Sequence, residues 1–593
     1  MTVKHEPATP AARTPALSRL TMPAAFLSAL FSLAGSNAMA GSTEAAQRCS
    51  ALSQSMQHLW PERSTHLASA ELHAKAAYDP PAMPGEPRHP GSLLLPEHCE
   101  TFGVIHERTG VDGQHYAIRF HLRLPTEWNG RFFFQGGGGT NGVVGDALGG
   151  ISVASPPAIV LGYAVVSQDS GHDNATNSNP ARGATAAFGF DPKARADYGH
   201  ASLKVVAEAA KAVVRAYYGR KAEYSYFVGC SKGGEEGMAF AQRYPTEFNG
   251  IVAGAPGFSL PRAAIAEAWE VQSVAALLAA KDASVPAAQF SNAFSDADLK
   301  LVSNAILEAC DADDGLKDGM VGAFAECSAA KVLPVLSVKV CSAEKTSQCL
   351  SDAQIVALKR IYEGPHNRTG ANLYSDWPWD AGIAGAGWRI WTLGSSDGHI
   401  PPLHVALGGS SLAAIFTTPP TEVSAALQAA ADYEMAFDFD RDAPKIYAVN
   451  SIYKTSAWDD ISARSADLSR FRAAGGKMIV PHGVSDPVFS INDTIAWYNE
   501  VQRLNHGEAQ EFVRVLPIPG MAHCGGGPAT DQFNVFSALV DWVEHAQAPD
   551  RIIATAGPAT PWPNRTRPLC AYPSIAHYNG SGSIEDAENF TCQ

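Results

Sequence analysis

Basic residues are scarce in this chain. Its 593 residues include 44 Lys and Arg against 59 Asp and Glu, a formal net charge of -15. Nucleic-acid partners call for a basic footprint, so this balance argues against one. Long apolar runs are also missing. The stretch Met22–Ala34 is too short to span a bilayer, and no later run is long enough. Nothing matches a P-loop or a dinucleotide fingerprint with its acidic follower, which argues against nucleotide chemistry. No internal repeat is present.

The N-terminus reads as an export signal. Lys4, Arg13 and Arg19 precede the short apolar stretch, and Ala38-Met39-Ala40 follows it, so residues 1–40 are expected to be removed after Ala40. No cysteine sits at the cleavage point, which argues against a lipid anchor. The expectation is a secreted or periplasmic monomer without a membrane anchor. All ten cysteines lie beyond Ala40, an even number suited to an oxidising compartment. Their spacing alone does not give the connectivity.

The densest chemistry lies in Gly229-Cys230-Ser231-Lys232-Gly233, which fits the Gly-x-Ser-x-Gly nucleophile elbow. Tyr224–Val228 before it is aromatic and β-branched, as a buried strand should be. Gly233–Arg243 after it reads as a helix opening on small residues. Strand, sharp turn and helix lift a serine hydroxyl to the top of an α/β-hydrolase sheet. A glycine-rich turn without chemistry is the bland alternative. Near the C-terminus, strand Phe512–Ile518 leads into Pro519-Gly520-Met521-Ala522-His523-Cys524. If Cys230 and Cys524 pair, their Cα atoms lie about 4.4–6.8 Å apart, bringing His523 beside Ser231.

The third member belongs between these two in chain order. Asp486 follows the strand Lys477–Val480, placed to accept the Nδ1 hydrogen of His523 and hold its tautomer. The rival bases His172 and His482 lack that late strand-then-loop position and are assigned packing or supporting roles. An oxyanion hole needs two backbone N–H groups. Lys232 supplies one, and the aromatic strand Arg131–Phe134 running into Gly136–Gly139 supplies the other, since glycine lets a backbone approach a substrate closely.

With Glu127-Trp128-Asn129-Gly130, Gly171-His172-Asp173-Asn174 and Ala253-Gly254-Ala255-Pro256-Gly257, these motifs run in an ordered series along nearly the whole mature chain. The chain resembles the tannase and feruloyl esterase family, and within it the members that hydrolyse the mono(2-hydroxyethyl) ester of terephthalic acid. The resemblance implies a Ser231, Asp486 and His523 triad, with Gly139 and Lys232 as oxyanion donors. It also implies disulfides Cys230–Cys524, Cys49–Cys99, Cys310–Cys327, Cys341–Cys349 and Cys570–Cys592. Fold class is then α/β: an α/β-hydrolase body from residues 41–257 and 467–593, with a large inserted lid over 258–466.

The lid holds Cys310-Asp311-Ala312-Asp313-Asp314-Gly315-Leu316-Lys317-Asp318-Gly319-Met320. Closely spaced carboxylates and turn glycines suit a hard cation, although an acidic solvated turn reads the same from spacing alone. The resemblance implies a structural Ca²⁺ held by Asp311, Asp314 and Asp318 and by the carbonyls of Leu316 and Met320. It also places Phe489, Trp391, Phe258, Leu260 and Phe416 around a small aromatic ester. The terephthalate-specific members pair their substrate's free carboxylate with a lid arginine. Here His399–His404 carries none and Leu403 falls at the matching place, so Arg389 is the candidate substitute. A feruloyl or gallate ester is the alternative substrate.

Overall fold

A computed structural model describes residues 43–79, 92–152, 155–279 and 285–593. The expected signal segment lies outside the described residues. Nine strands form one sheet: β1 (His66–His73), β2 (His98–Thr109), β3 (His115–Pro125), β4 (Arg131–Gln135), β5 (Ala164–Gln168), β6 (Tyr224–Cys230), β7 (Gly250–Gly254), β8 (Lys477–Gly483) and β9 (Val513–Ile518). Their order is β1-β2-β3-β5-β4-β6-β7-β8-β9. The sheet is antiparallel from β1 to β5 and parallel from β5 through β9.

The parallel half is covered on both faces, which is why its strands read as near-continuous apolar runs. On one face Phe132, Phe134, Phe227, Phe240 and Phe248 interlock, with Phe240 and Phe248 edge to face at 4.6 Å. The other face packs Phe133, Tyr163 and Tyr226 around Phe536. Helix α1 (Ser202–Tyr218) buries Leu203, Val206, Ala210, Val213, Val214 and Tyr217 along one stripe and stops at Gly219 with φ 71°.

The alanine-rich run from Ala196 to Tyr218 reads in sequence as one long helix. Instead a short α turn (Pro192–Ala196) and a π-helical turn (Asp197–Ala201) precede α1. Packing is close at this turn: a Cβ on Gly199 would collide with the backbone carbonyl of Asp460.

Helix α2 (Lys232–Arg243) follows β6. Between β7 and β8 the described residues form helices and loops and add no strand to the sheet. Among them are α3 (Leu260–Leu278), α4 (Asp296–Cys310), α5 (Asp352–Glu363) and α6 (Ala386–Thr392). Capping boxes start α4 (Ser295 with Asp298) and α5 (Ser351 with Gln354). The insertion's core, with Val302, Ile306, Leu358, Ile361 and Trp388, continues without a break into Val484, Val488 and Phe489 after β8. The insertion is thereby packed onto the loop that carries Asp486.

All five expected disulfides are formed, so no cysteine is free. Among the described residues no helix is long and apolar enough to cross a membrane.

One buried ion pair ties insertion to body. Arg195 is 0% exposed; its guanidinium lies 2.8 Å from Asp460 and donates to Thr418 Oγ1 and the Thr455 carbonyl. Removing one member leaves the other charged, buried and unpaired. Arg195→Ala is expected to cost about 3–5 kcal/mol, measured as a lower urea midpoint with an unchanged circular-dichroism spectrum before the transition.

Candidate active site

Ser231 stands between β6 and α2 with φ 65° and ψ -121°, a conformation only a surrounding network can hold. Its N–H donates to the Gly254 carbonyl at 3.0 Å, and its carbonyl accepts from Glu235 and Gly257. The glycines around it are required by contact. A Cβ on Gly233 would sit 2.6 Å from the Gly137 carbonyl oxygen, and one on Gly229 would sit 2.8 Å from the Gly233 backbone. At Gly234 it would overlap the Gly254 carbonyl. The close-packed glycines therefore let the elbow, the β7 end and the glycine loop share one small volume.

Cys230 is disulfide-bonded to Cys524, with Cα atoms 6.1 Å apart. The preceding residue, His523, donates from Nδ1 to Asp486 Oδ2 at 2.8 Å. That bond leaves Nε2 as the acceptor nitrogen, and Nε2 has no hydrogen-bond partner among the described residues. Asp486 is 1% exposed; its Oδ1 accepts from the Val488 and Phe489 N–H groups. Burial alone would raise this carboxyl. The charge of His523 and hydrogen bonds from His482 and His523 outweigh burial and hold it well below the usual carboxylate range.

The acid and base loops are fastened to each other as well. Ser485 N–H donates to the Met521 carbonyl at 3.0 Å. Asp380, from the insertion, accepts from the Ser485 hydroxyl and from Gly520 N–H. Trp377 Nε1 donates to the Asp486 carbonyl at 3.1 Å.

The two oxyanion candidates stand at the start of a helix and in the glycine loop. Lys232 is the first residue of α2, where an N–H has no intrahelical acceptor. Gly139 holds φ 56°, and a Cβ built there meets nothing within 4 Å, so its surroundings are open. The arrangement as a whole is a serine, a base with a free nitrogen, an ionised orienting acid and two candidate amide donors. Its chemical capacity is acyl transfer.

The rival histidines do other work. His482 is fully buried between the Thr494 hydroxyl and the Phe489 carbonyl and lies 3.5 Å from Asp486, supporting the acid. His172 stacks on Phe188 at 3.8 Å, and burial pushes its imidazole down to about 3, keeping it neutral.

Of the expected substrate contacts, Phe489 and Trp391 stand edge-on to the His523 ring, at 5.3 and 5.4 Å. Leu260 and Phe416 share one cluster, and Leu260 and Phe489 both crowd Gly257. Phe258 is buried in the body core against Trp497. Arg389 is engaged elsewhere. Its guanidinium donates to the Phe294 and Ser291 carbonyls at 2.8 and 2.9 Å and pairs with Asp296. It is therefore committed to the insertion's own backbone rather than to a ligand.

In the acidic loop, Asp311 and Asp314 are mostly buried and have no cationic partner among the described residues. Their oxygens accept backbone N–H groups of Asp318, Gly319, Leu316 and Gly322. The Leu316 and Met320 carbonyls accept no hydrogen bond among the described residues. This donor set fits a hard cation. The Asp318 carboxylate also pairs with Arg565 and Arg567. Among the described residues, no three acidic, histidine or cysteine side chains converge by themselves to hold an ion.

Sequence reading missed the charged group behind the elbow. Lys232 Nζ is buried 2.5 Å from Glu235 and 3.3 Å from Glu236. The available signal was three charges in five residues on a helix whose glycines demand burial; such charges survive only as one another's partners. For the elbow itself, Gly234→Ala is expected to slow labelling of Ser231 by a fluorophosphonate by about 10²-fold, because the nucleophile shifts by a fraction of an ångström or more. Labelling at the normal rate would show that the turn tolerates the methyl group.

Known proteins bear on this geometry. The family model described as tannase and feruloyl esterase matches residues 99–593. The chain is 44% identical over 562 residues to mono(2-hydroxyethyl) terephthalate hydrolase of Piscinibacter sakaiensis, covering 90% of this chain and 89% of that one. It is 29% identical to a probable feruloyl esterase of Arthroderma benhamiae, over 86% and 88% of the two chains. Crystal structures of feruloyl esterase B from Aspergillus oryzae (TM-score 0.68, 23% identity, 92% and 99% coverage) and tannin acyl hydrolase from Aspergillus niger (0.63, 20%, 92% and 95%) share the fold. Model, relatives and fold agree over nearly the whole length: the chain belongs to the tannase and feruloyl esterase family.

Proposed function

We propose that the chain is an exported serine carboxylesterase for aromatic-acid esters, with mono(2-hydroxyethyl) terephthalate as its substrate. The observation that carries the reading is the bond from His523 Nδ1 to buried Asp486, made on a loop disulfide-bonded to the serine's own turn. His523 Nε2 takes the Ser231 hydroxyl proton as Oγ attacks the ester carbonyl. The N–H groups of Gly139 and Lys232 receive the oxyanion. The C–O bond to the alcohol breaks as His523 returns the proton to the leaving oxygen. Water, deprotonated by His523, then cleaves the acyl-enzyme and frees the acid. Asp486 stays ionised and stabilises the imidazolium throughout. The 44% identical hydrolase supports the terephthalate monoester, and the rings of Phe489 and Trp391 beside His523 suit an aromatic acyl group.

A second reading, a plant phenolic ester, is favoured by the commitment of Arg389 to backbone carbonyls. Without a guanidinium at the acyl end, a substrate carboxylate gains no charge-assisted pair.

In the insertion, acting as a lid, Asp311, Asp314 and Asp318 would hold Ca²⁺ together with the Leu316 and Met320 carbonyls. When bound it neutralises buried carboxylates and braces the Cys310–Cys327 loop. It takes no part in the reaction.

Two measurements test these readings. Purified mature protein is expected to hydrolyse the terephthalate monoester best among that ester, its bis-ester, methyl ferulate and methyl gallate, with all activity lost in Ser231→Ala. The missing ion pair, about 1.5–3 kcal/mol, should keep the monoester's advantage over the bis-ester below about tenfold. A preference for ferulate or gallate would favour the second reading, and no Ser231-dependent hydrolysis would overturn both. Chelation with EDTA is expected to lower Tm by several degrees, equivalent to about 2–3 kcal/mol at a hundredfold excess of Ca²⁺ over Kd, while initial rates at 25 °C persist. An unchanged Tm would remove calcium from the account.

A further inference from the structure

The two amide donors assigned to the oxyanion hole come from segments far apart in sequence, yet one buried side chain, carried by the Lys232 helix, accepts a backbone N–H from the Gly139 loop. Glu236 is 0% exposed and lies on the first turns of α2, whose first residue is Lys232. Its Oε2 accepts from Gly137 N–H at 3.0 Å. Its Oε1 accepts from Asn141 Nδ2 at 2.8 Å and lies 3.5 Å from the Ser170 hydroxyl. Asn141, in turn, accepts from Gly138 N–H through Oδ1 at 2.7 Å and holds φ 55°. Gly139 comes next, between residues gripped on either side. Lys232 Nζ, 3.3 Å from Glu236 Oε1, neutralises the arrangement.

We propose that Glu236 and Asn141 are positioning residues that set the separation of the Gly139 and Lys232 amides, and so the fit of the hole to the tetrahedral oxyanion. This rests on the acyl-transfer reading above. Four glycines in succession cannot hold an amide in place, since each is free to visit conformations closed to other residues. The loop's rigidity must come from outside, and among the described residues the only charged acceptor touching its backbone is carried by the nucleophile's own helix. A donor displaced from the oxyanion weakens the transition state more than the ground state.

The bonding pattern allows a reversal test. Glu236→Gln alone sets a donor against the Asn141 amide. Asn141→Asp alone sets carboxylate against carboxylate. Together they reverse the polarity of that bond, while acceptors remain for the N–H groups of both Gly137 and Gly138; the Lys232 ammonium loses its Glu236 contact and keeps Glu235 at 2.5 Å. Each single variant is expected to lower kcat about 10–100-fold, part of the 10²–10³ lost when an oxyanion donor is removed outright, with KM little changed. The double variant is expected to recover to within about threefold of the parent, a coupling that independent sites do not show. Folded single variants with parental kcat would overturn the proposal, and so would a double variant no better than the worse single. Loss in KM alone would equally place these residues in substrate binding. A parent protein without Ser231-dependent hydrolysis would instead overturn the esterase reading on which the proposal stands.

Discussion

The Cys230–Cys524 bond is the constraint on which the site depends. It joins residues 294 apart in sequence, one at the end of β6 and one beyond β9, across the intervening edges of β7 and β8. Strand pairing alone brings the C-terminal ends of these strands to one side of the sheet, but leaves their loops free to drift. A covalent link between the residue before the serine and the residue after the histidine removes that freedom. It also removes conformations from the unfolded chain, and more so for a longer closed loop.

Around that link, electrostatics are settled by burial rather than by surface charge. Asp486 is ionised in a dry site because His523, His482 and two backbone N–H groups face it. Behind the serine, a lysine and two glutamates are buried together. Such groups contribute little net stability, since desolvation offsets their attraction, but they demand one geometry. At the elbow that demand is useful: the φ of 65° at Ser231 needs neighbours that cannot relax.

The insertion belongs to this machinery more closely than a cover would. Asp380 and Trp377 bond the acid and base loops directly, and the insertion's apolar core runs into Phe489. A site built this way couples substrate recognition to triad geometry. Changes in the insertion's packing can therefore reach the chemistry through hydrogen bonds already in place.

The sequence by itself determined the local pieces. Strand, glycine turn and helix around Ser231 were legible because the steric needs of that turn admit almost no residue but glycine. The strand-then-loop placement of Asp486 and His523 was legible because hydrophobic runs mark strands. The family resemblance added the disulfide pairing, which spacing leaves open, and all five bonds are formed. Only the tertiary structure decided which polar side chains face one another. Arg389, the candidate partner for a carboxylate, is spent on two carbonyls, Phe258 packs against the body core, and Asp318 also faces two arginines. Glu236, unremarked on a helix that opens on small residues, is buried against the glycine loop. The physical reason is range. Backbone sterics and hydrophobic periodicity act within a few residues, whereas a buried polar group's partner is fixed by whichever distant segment the fold delivers to it.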